Sequence, residues 1–242
     1  MNSLELAARY SFMPNKLRFC GPKEANSIFL SFISKPSRAK EAELKKALSK
    51  FEALFPYLKA IAKANNKQPF DEEVIRAYWL GNELLENVGR KELARVIRED
   101  FAKPHLLPKK IAEALADSVP EGANAHHSFH VLHLQTITGV IEANLQNADN
   151  CRISVGRVKE VNEEEEKAVV SYKPIEISRG AYVFGKEKEK KVSTEILRKV
   201  KQGDLITIHW NLAVQKVDEE EARALEKYTL ENMRAVKPRV MH

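Results

Sequence analysis

The feature that most constrains this chain's fold is a change of hydrophobic period near residue 148. Before it, apolar residues recur every three or four positions, the period of an amphipathic helix. After it, short β-branched runs with partial alternation take over, bounded by charged or Gly-containing turns. This predicts an α+β multidomain chain, with an all-α domain over 1–148 and a β-unit over 149–242. At 242 residues there is room for two modest domains. Hydrophobic side chains make up 43% of the chain, enough to build a packed core, so a disordered chain is excluded.

In the first half, Leu44, Leu48, Phe51, Leu54, Phe55 and Leu58 form one apolar face, which Pro56 should end or kink. Asp71 is placed to cap a helix that starts with acids, and Gly89 is a candidate stop. Two shorter helices follow, within 91–101 and 108–119. Residues 125–146 read as one long helix ending near Asn147. Pro14-Asn15 and Gly21-Pro22 read as turns.

In the second half, residues 151–161, 167–173, 174–178 and 204–217 read as strands, and the charged runs 162–167 and 185–191 read as solvated loops. Residues 218–236 read as a helix capped by Asp218. Short strands that must hide their edges, closed by one helix, suggest a small barrel.

The formal net charge of +6 is thinly spread. Residues 1–147 carry 21 basic and 17 acidic side chains, and the rest carry 19 and 17. Nucleic-acid binding gains from a concentrated basic patch, which the sequence does not display. No apolar run reaches the ~18 residues of a membrane helix, and the N-terminus lacks the pattern of a signal peptide. A cytoplasmic location is therefore expected. The two cysteines, Cys20 and Cys151, exclude a disulfide scaffold, and without a CxxC pair a thiol-rich structural zinc site is excluded too. Cys20, Trp79 and Trp210 read as structural.

Four histidines cluster at His126, His127, His130 and His133. On a helix, His126, His130 and His133 share one face, and His127 and His130 are i,i+3 neighbours. Imidazoles one turn apart suit a shared metal ion. The glutamate of a zincin helix is absent, and no His-Asp dipeptide occurs. Structural packing between the two halves, a metal site of unidentified metal and general acid–base work all remain open. A long helix either brings His126 or His127 close to Cys151 or carries the cluster about 30 Å away.

Three segments of the second half, 151–158, 191–204 and 203–222, resemble the HypC/HupF family of nickel–iron hydrogenase maturation chaperones. The match rests on Cys151-Arg-Ile-Ser-Val-Gly-Arg-Val158, on the approach to Gly203-Asp204, and on the strand–His209–strand–acidic-helix ending. The resemblance implies an OB-like barrel with a C-terminal helix. It also implies that Cys151 and His209 form the functional pair and hold an iron centre bearing cyanide and carbon monoxide. The implied partner is a metalloenzyme precursor or another maturation factor. In the family the cysteine follows the initiator methionine; here it lies mid-chain. Val155 replaces a proline, and His209-Trp-Asn-Leu-Ala213 replaces His-Val-Gly-Phe-Ala. Independently of the family, thiolate and imidazole both suit iron. Residues 4–22 resemble the opening of an uncharacterised prokaryotic helical family, which implies no activity.

The expected function is thus an accessory chaperone or metal-cofactor carrier. The alternatives are an OB-type nucleic-acid-binding module and a metal-dependent enzyme centred on His126, His127, His130 and His133.

Overall fold

The computed structural model describes residues 3–238. The chain is α+β: helices, then a closed five-stranded barrel, then a C-terminal helix. The helices are α1 (Ser3–Lys16), α2 (Ala25–Ser34), α3 (Arg38–Leu48), α4 (Phe55–Ala64), α5 (Glu72–Trp79), α6 (Arg90–Arg95), α7 (Lys109–Asp117), α8 (His127–Phe129) and α9 (Leu145–Cys151). A π-helical turn, Val96–Phe101, continues α6, and another, His130–Leu134, continues α8. The strands are β1 (Ser154–Asn162), β2 (Lys167–Tyr172), β3 (Ile175–Ser178), β4 (Ala181–Phe184), β5 (Lys188–Ser193), β6 (Leu205–His209) and β7 (Leu212–Lys216). The chain closes with α10 (Glu219–Ala235).

The barrel runs β1-β2-β5-β7-β6 and returns to β1. All its neighbours pair antiparallel except β5 and β7, which are parallel. Closure is narrowest between β5 and β7, which pair only at Ser193 and Leu212, and Arg9 of α1 donates to Ile196 O and Val214 O beside that seam. Gly156 lets β1 and β6 approach, since a Cβ there would lie 2.8 Å from Ile208 Cδ1. The separate β3–β4 hairpin lies outside the barrel.

Several expectations need correction. The charged run 185–191 is not simply a loop, because β5 begins at Lys188 and pairs with β2 from Lys188 to Ser193. Lys188, Glu189 and Lys191 are exposed while Val192 is buried, and the half-buried Lys190 lays its ammonium 4.0 Å from the Tyr172 ring centre. Helix α5 ends at Gly81, with φ of +87°, and Gly89 instead precedes α6. The Pro14-Asn15 turn is absent, because α1 continues through Pro14 to Lys16. The long helix over 125–146 is also absent. The chain breaks at Gln135 (φ 65°, ψ −63°), passes through Gly139 at φ of +70°, and restarts at α9, where the Asn144 side chain accepts from the Asn147 N–H at 2.8 Å.

The apolar run 44–58 is not one helix that Pro56 ends, because α3 stops at Leu48 and Pro56 sits in the first turn of α4 instead. Asp71 precedes α5 without a side-chain cap, its carboxylate accepting from the Gln68 N–H. Asp218 and Glu221 form a complete capping box on α10.

One apolar core runs from the helices into the barrel, joining Phe12, Tyr57 and Ile75 to Leu212, Val214 and Leu225. A second, smaller cluster around Val170, Ile206 and Ile208 fills the barrel. Tyr10 links α1 to β6 by donating to Thr207 Oγ1 at 2.8 Å, and the Asn232 side chain ties α10 to Asn124.

Candidate functional site

The side chains of His127, Cys151 and His209 meet where the helices adjoin the barrel. Cys151 Sγ lies 3.9 Å from His127 Nε2 and 4.0 Å from His209 Nε2. All three donor atoms lie within 4.8 Å of one another. Around a tetrahedral ion with bonds of about 2.0–2.3 Å, such atoms stand roughly 3.3–3.6 Å apart. The two sulfur–nitrogen pairs need to contract by about half an ångström, and the widest pair of the group, within 4.8 Å, by up to about 1.5 Å, to make a three-ligand shell. Thiolate with two imidazoles suits zinc, iron, copper or nickel.

Each ligand is fixed by local structure. Cys151 ends α9. Beside it, Asp149 accepts from Arg152 Nε at 2.9 Å, the Ile175 N–H at 2.9 Å and the Tyr172 hydroxyl at 3.0 Å. This buried clasp holds the turn from α9 into β1. His209 ends β6 at a two-residue hairpin turn whose central residues, Trp210 and Asn211, both have positive φ (51° and 57°). A bulky residue in that region is uncommon. It is held by the Trp210 N–H donating to Asn150 O at 2.7 Å and by the Phe19 ring, 4.6 Å away. The turn and the cysteine helix are thereby locked together.

The orientation of His209 traces to Pro14. Proline has no N–H, so the Tyr10 carbonyl four residues earlier loses its helical donor. The His209 Nδ1–H donates to that carbonyl at 2.8 Å. Nε2 is left as a bare acceptor facing Cys151.

His127 opens α8. Its Nδ1 lies 2.9 Å from the Tyr78 hydroxyl, which is 2.7 Å from Ala53 O, while its Nε2 lies 3.0 Å from Cys151 O. Two proton arrangements fit this chain. In one, Nε2–H donates to Cys151 O and Tyr78 donates to Nδ1. In the other, Tyr78 donates to Ala53 O, Nδ1–H donates to Tyr78, and Nε2 is free. A metal ion on Nε2 would require the second, in which Tyr78 holds the tautomer by accepting from Nδ1–H.

Burial keeps these imidazoles neutral. Desolvation lowers His127 to about 4, His126 and His130 to about 3, and His209 well below its usual value. The same effect pushes the Cys151 thiol up to about 12, opposed by the nearby Trp210 indole. Cys20 is also raised. Only the thiol proton competes with a metal near neutral pH.

The other histidines take separate places. His126 caps α8, its Nδ1 accepting from the Ser128 N–H and its Nε2–H donating to Trp79 O. His133 donates to Leu115 O at 2.9 Å and stacks on Phe129. His130 packs edge-on against Tyr57 and Phe101, parallel to His127 at 6.4 Å, beside the cavity that borders the site. Among the described residues, none of these three joins the close ligand group. The helical spacing of 126, 130 and 133 predicted a different face. The helix starts only at His127, and the π-helical turn changes the angular step after Phe129. Sequence reasoning also missed Tyr78 and Tyr10. The one available signal was Pro14, which frees a carbonyl if the helix continues through it.

The chain belongs to a family described as a family of unknown function, DUF6390, whose model matches residues 2–242, across both halves. No curated protein and no solved structure matches it. Nothing in these comparisons points to the HypC/HupF family.

Proposed function

We propose that this protein is an accessory chaperone that carries a metal centre during maturation of a metalloenzyme, with a nickel–iron hydrogenase as the client class. The observation that carries the reading is the approach of Cys151 Sγ to His209 Nε2 at 4.0 Å across 58 residues of sequence. These are the two residues that the HypC/HupF resemblance pairs. The barrel order β1-β2-β5-β7-β6, with its parallel β5–β7 contact, supports the OB-like part of the reading. Iron is the cargo, and a metalloenzyme precursor or maturation factor in the cytoplasm is the partner. His127 supplies a third ligand from the helical half, and three ligands leave a position open for hand-over or chemistry.

A second reading, a metal-dependent enzyme, is favoured by that same His127, a member of the histidine cluster beside a partly open cavity. The nucleic-acid reading has less support. Trp210 and Tyr182 are buried, and Tyr172 is covered by Lys190, so the barrel offers few faces for base stacking.

The test is the metal content and infrared spectrum of protein purified without oxygen, beside Cys151→Ala. Iron with cyanide and carbon monoxide stretches, lost in the variant, is the expected result. A metal without those stretches that supports turnover favours the enzyme. A metal retained in full by the variant removes both readings from this site.

A further inference from the structure

The cavity beside the three ligands has a volume of ≈ 40 Å³, and none of the side chains lining it is Asp, Glu, Lys or Arg. A divalent ion held by one thiolate and two neutral imidazoles keeps one net positive charge. In surroundings of low dielectric an uncompensated charge is costly, and no carboxylate lines the cavity to offset it. One monoanion bound at the open position brings the centre to zero.

Hydrogen-bond donors point the same way. Trp79 Nε1, Gln135 Nε2 and Ser11 Oγ are buried and have no hydrogen-bond partner among the described residues. All three residues line this cavity. Trp79 and Ser11 are 3% and 1% exposed. Trp210 Nε1, near the Cys151 thiol, is a fourth such group; buried donors left unpaired are rare and destabilising, so four on residues around one cavity indicate a missing acceptor. Size narrows the choice further. One water needs about 10–15 Å³ by this measure, so the cavity takes a ligand of roughly three heavy atoms.

We propose that the open position at the Cys151–His127–His209 centre takes one small monoanion, held in the cavity by the side chains of Trp79, Gln135 and Ser11. This rests on the three-ligand metal site itself, in the form that carries no cyanide or carbon monoxide, and adds the class of ligand that completes it. The donors discriminate as well as attract, since a neutral molecule of equal size leaves the charge in place.

The test uses the full chain loaded with cobalt(II), titrated with azide and, separately, with acetonitrile. The thiolate-to-cobalt charge-transfer band reports the metal site, and the ligand-field bands report the added ligand. Azide is expected to shift the ligand-field bands and saturate with one equivalent bound, while acetonitrile leaves them unchanged. Gln135→Glu brings its own carboxylate and should weaken azide by about tenfold or more with the charge-transfer band kept. Gln135→Leu removes a donor without adding charge and should weaken it by about two- to tenfold. An intact charge-transfer band with no azide response, or an equal response to acetonitrile, overturns the proposal. Absence of the charge-transfer band in the unaltered protein overturns the metal reading itself.

Discussion

Acid should unfold this protein unusually steeply, through its buried histidines. His126, His127 and His130 hold pKa values of about 3, 4 and 3, against 6.5 for a solvated imidazole. Between those limits the unfolded chain binds protons that the folded chain refuses, so stability falls as pH drops below 6.5. At pH 5 each such histidine removes about 2 kcal/mol, and three remove about 6 kcal/mol. His209, also lowered, acts in the same direction. The loss is comparable with the ~5–15 kcal/mol that a folded protein typically has. The assay is the urea midpoint of metal-free protein from pH 7.5 to 5, followed by fluorescence and circular dichroism. The expected slope is about 4 kcal/mol per pH unit below pH 6 from these three protons, and about 5 with His209 as the fourth. His130→Phe, which keeps an aromatic ring among Tyr57, Phe101 and His127, should remove about a quarter of that slope. A midpoint that stays flat from pH 7 to 5, or a full slope in His130→Phe, would refute the buried neutral imidazoles.

Three further outcomes follow from particular contacts. Tyr78→Phe removes the partner that holds Nδ1–H of His127, so metal affinity should drop about 10–100-fold while the far-ultraviolet spectrum stays unchanged; competition with a chelator measures it. Pro14→Ala returns an N–H to compete for the Tyr10 carbonyl, which should lower metal affinity by about tenfold without unfolding α1; unchanged affinity would show that His209 needs no such anchor. Asp149→Asn leaves Arg152, 3% exposed, without its counter-charge, at a cost of about 3–5 kcal/mol. The melting temperature should then fall by about 10 °C, and a fall of a degree or two would mean that the clasp is dispensable.

Much of the architecture was legible because local chemistry and tertiary packing agree. The change of period near residue 148 follows from patterning over many residues, and the cap at Asp218 from one residue type at one position. The failures have physical causes. Ile137, Ile141 and Leu145 keep a four-residue spacing across a segment that is not helical, so periodicity alone could not reveal the break at Gln135. Strand β5 is built mostly of charged residues and buries only Val192, so composition read its start as a loop. Cys151 and His209 were legible as a pair through family resemblance. His127 was legible only as a cluster member, because the choice among four neighbouring histidines depends on where α8 begins. Tyr78 and the Tyr10 carbonyl were invisible, since outer-shell partners reach the site from distant helices and carry no spacing signature.

The most direct test of the central claim is X-ray absorption at the metal edge of loaded protein, beside the Cys151→Ala and His127→Ala variants. The three-ligand centre predicts one sulfur near about 2.3 Å and two imidazole nitrogens near about 2.0–2.1 Å. The sulfur shell should vanish in Cys151→Ala, and one imidazole should be lost in His127→Ala. A shell without sulfur in the unaltered protein, or one unchanged in both variants, would contradict it.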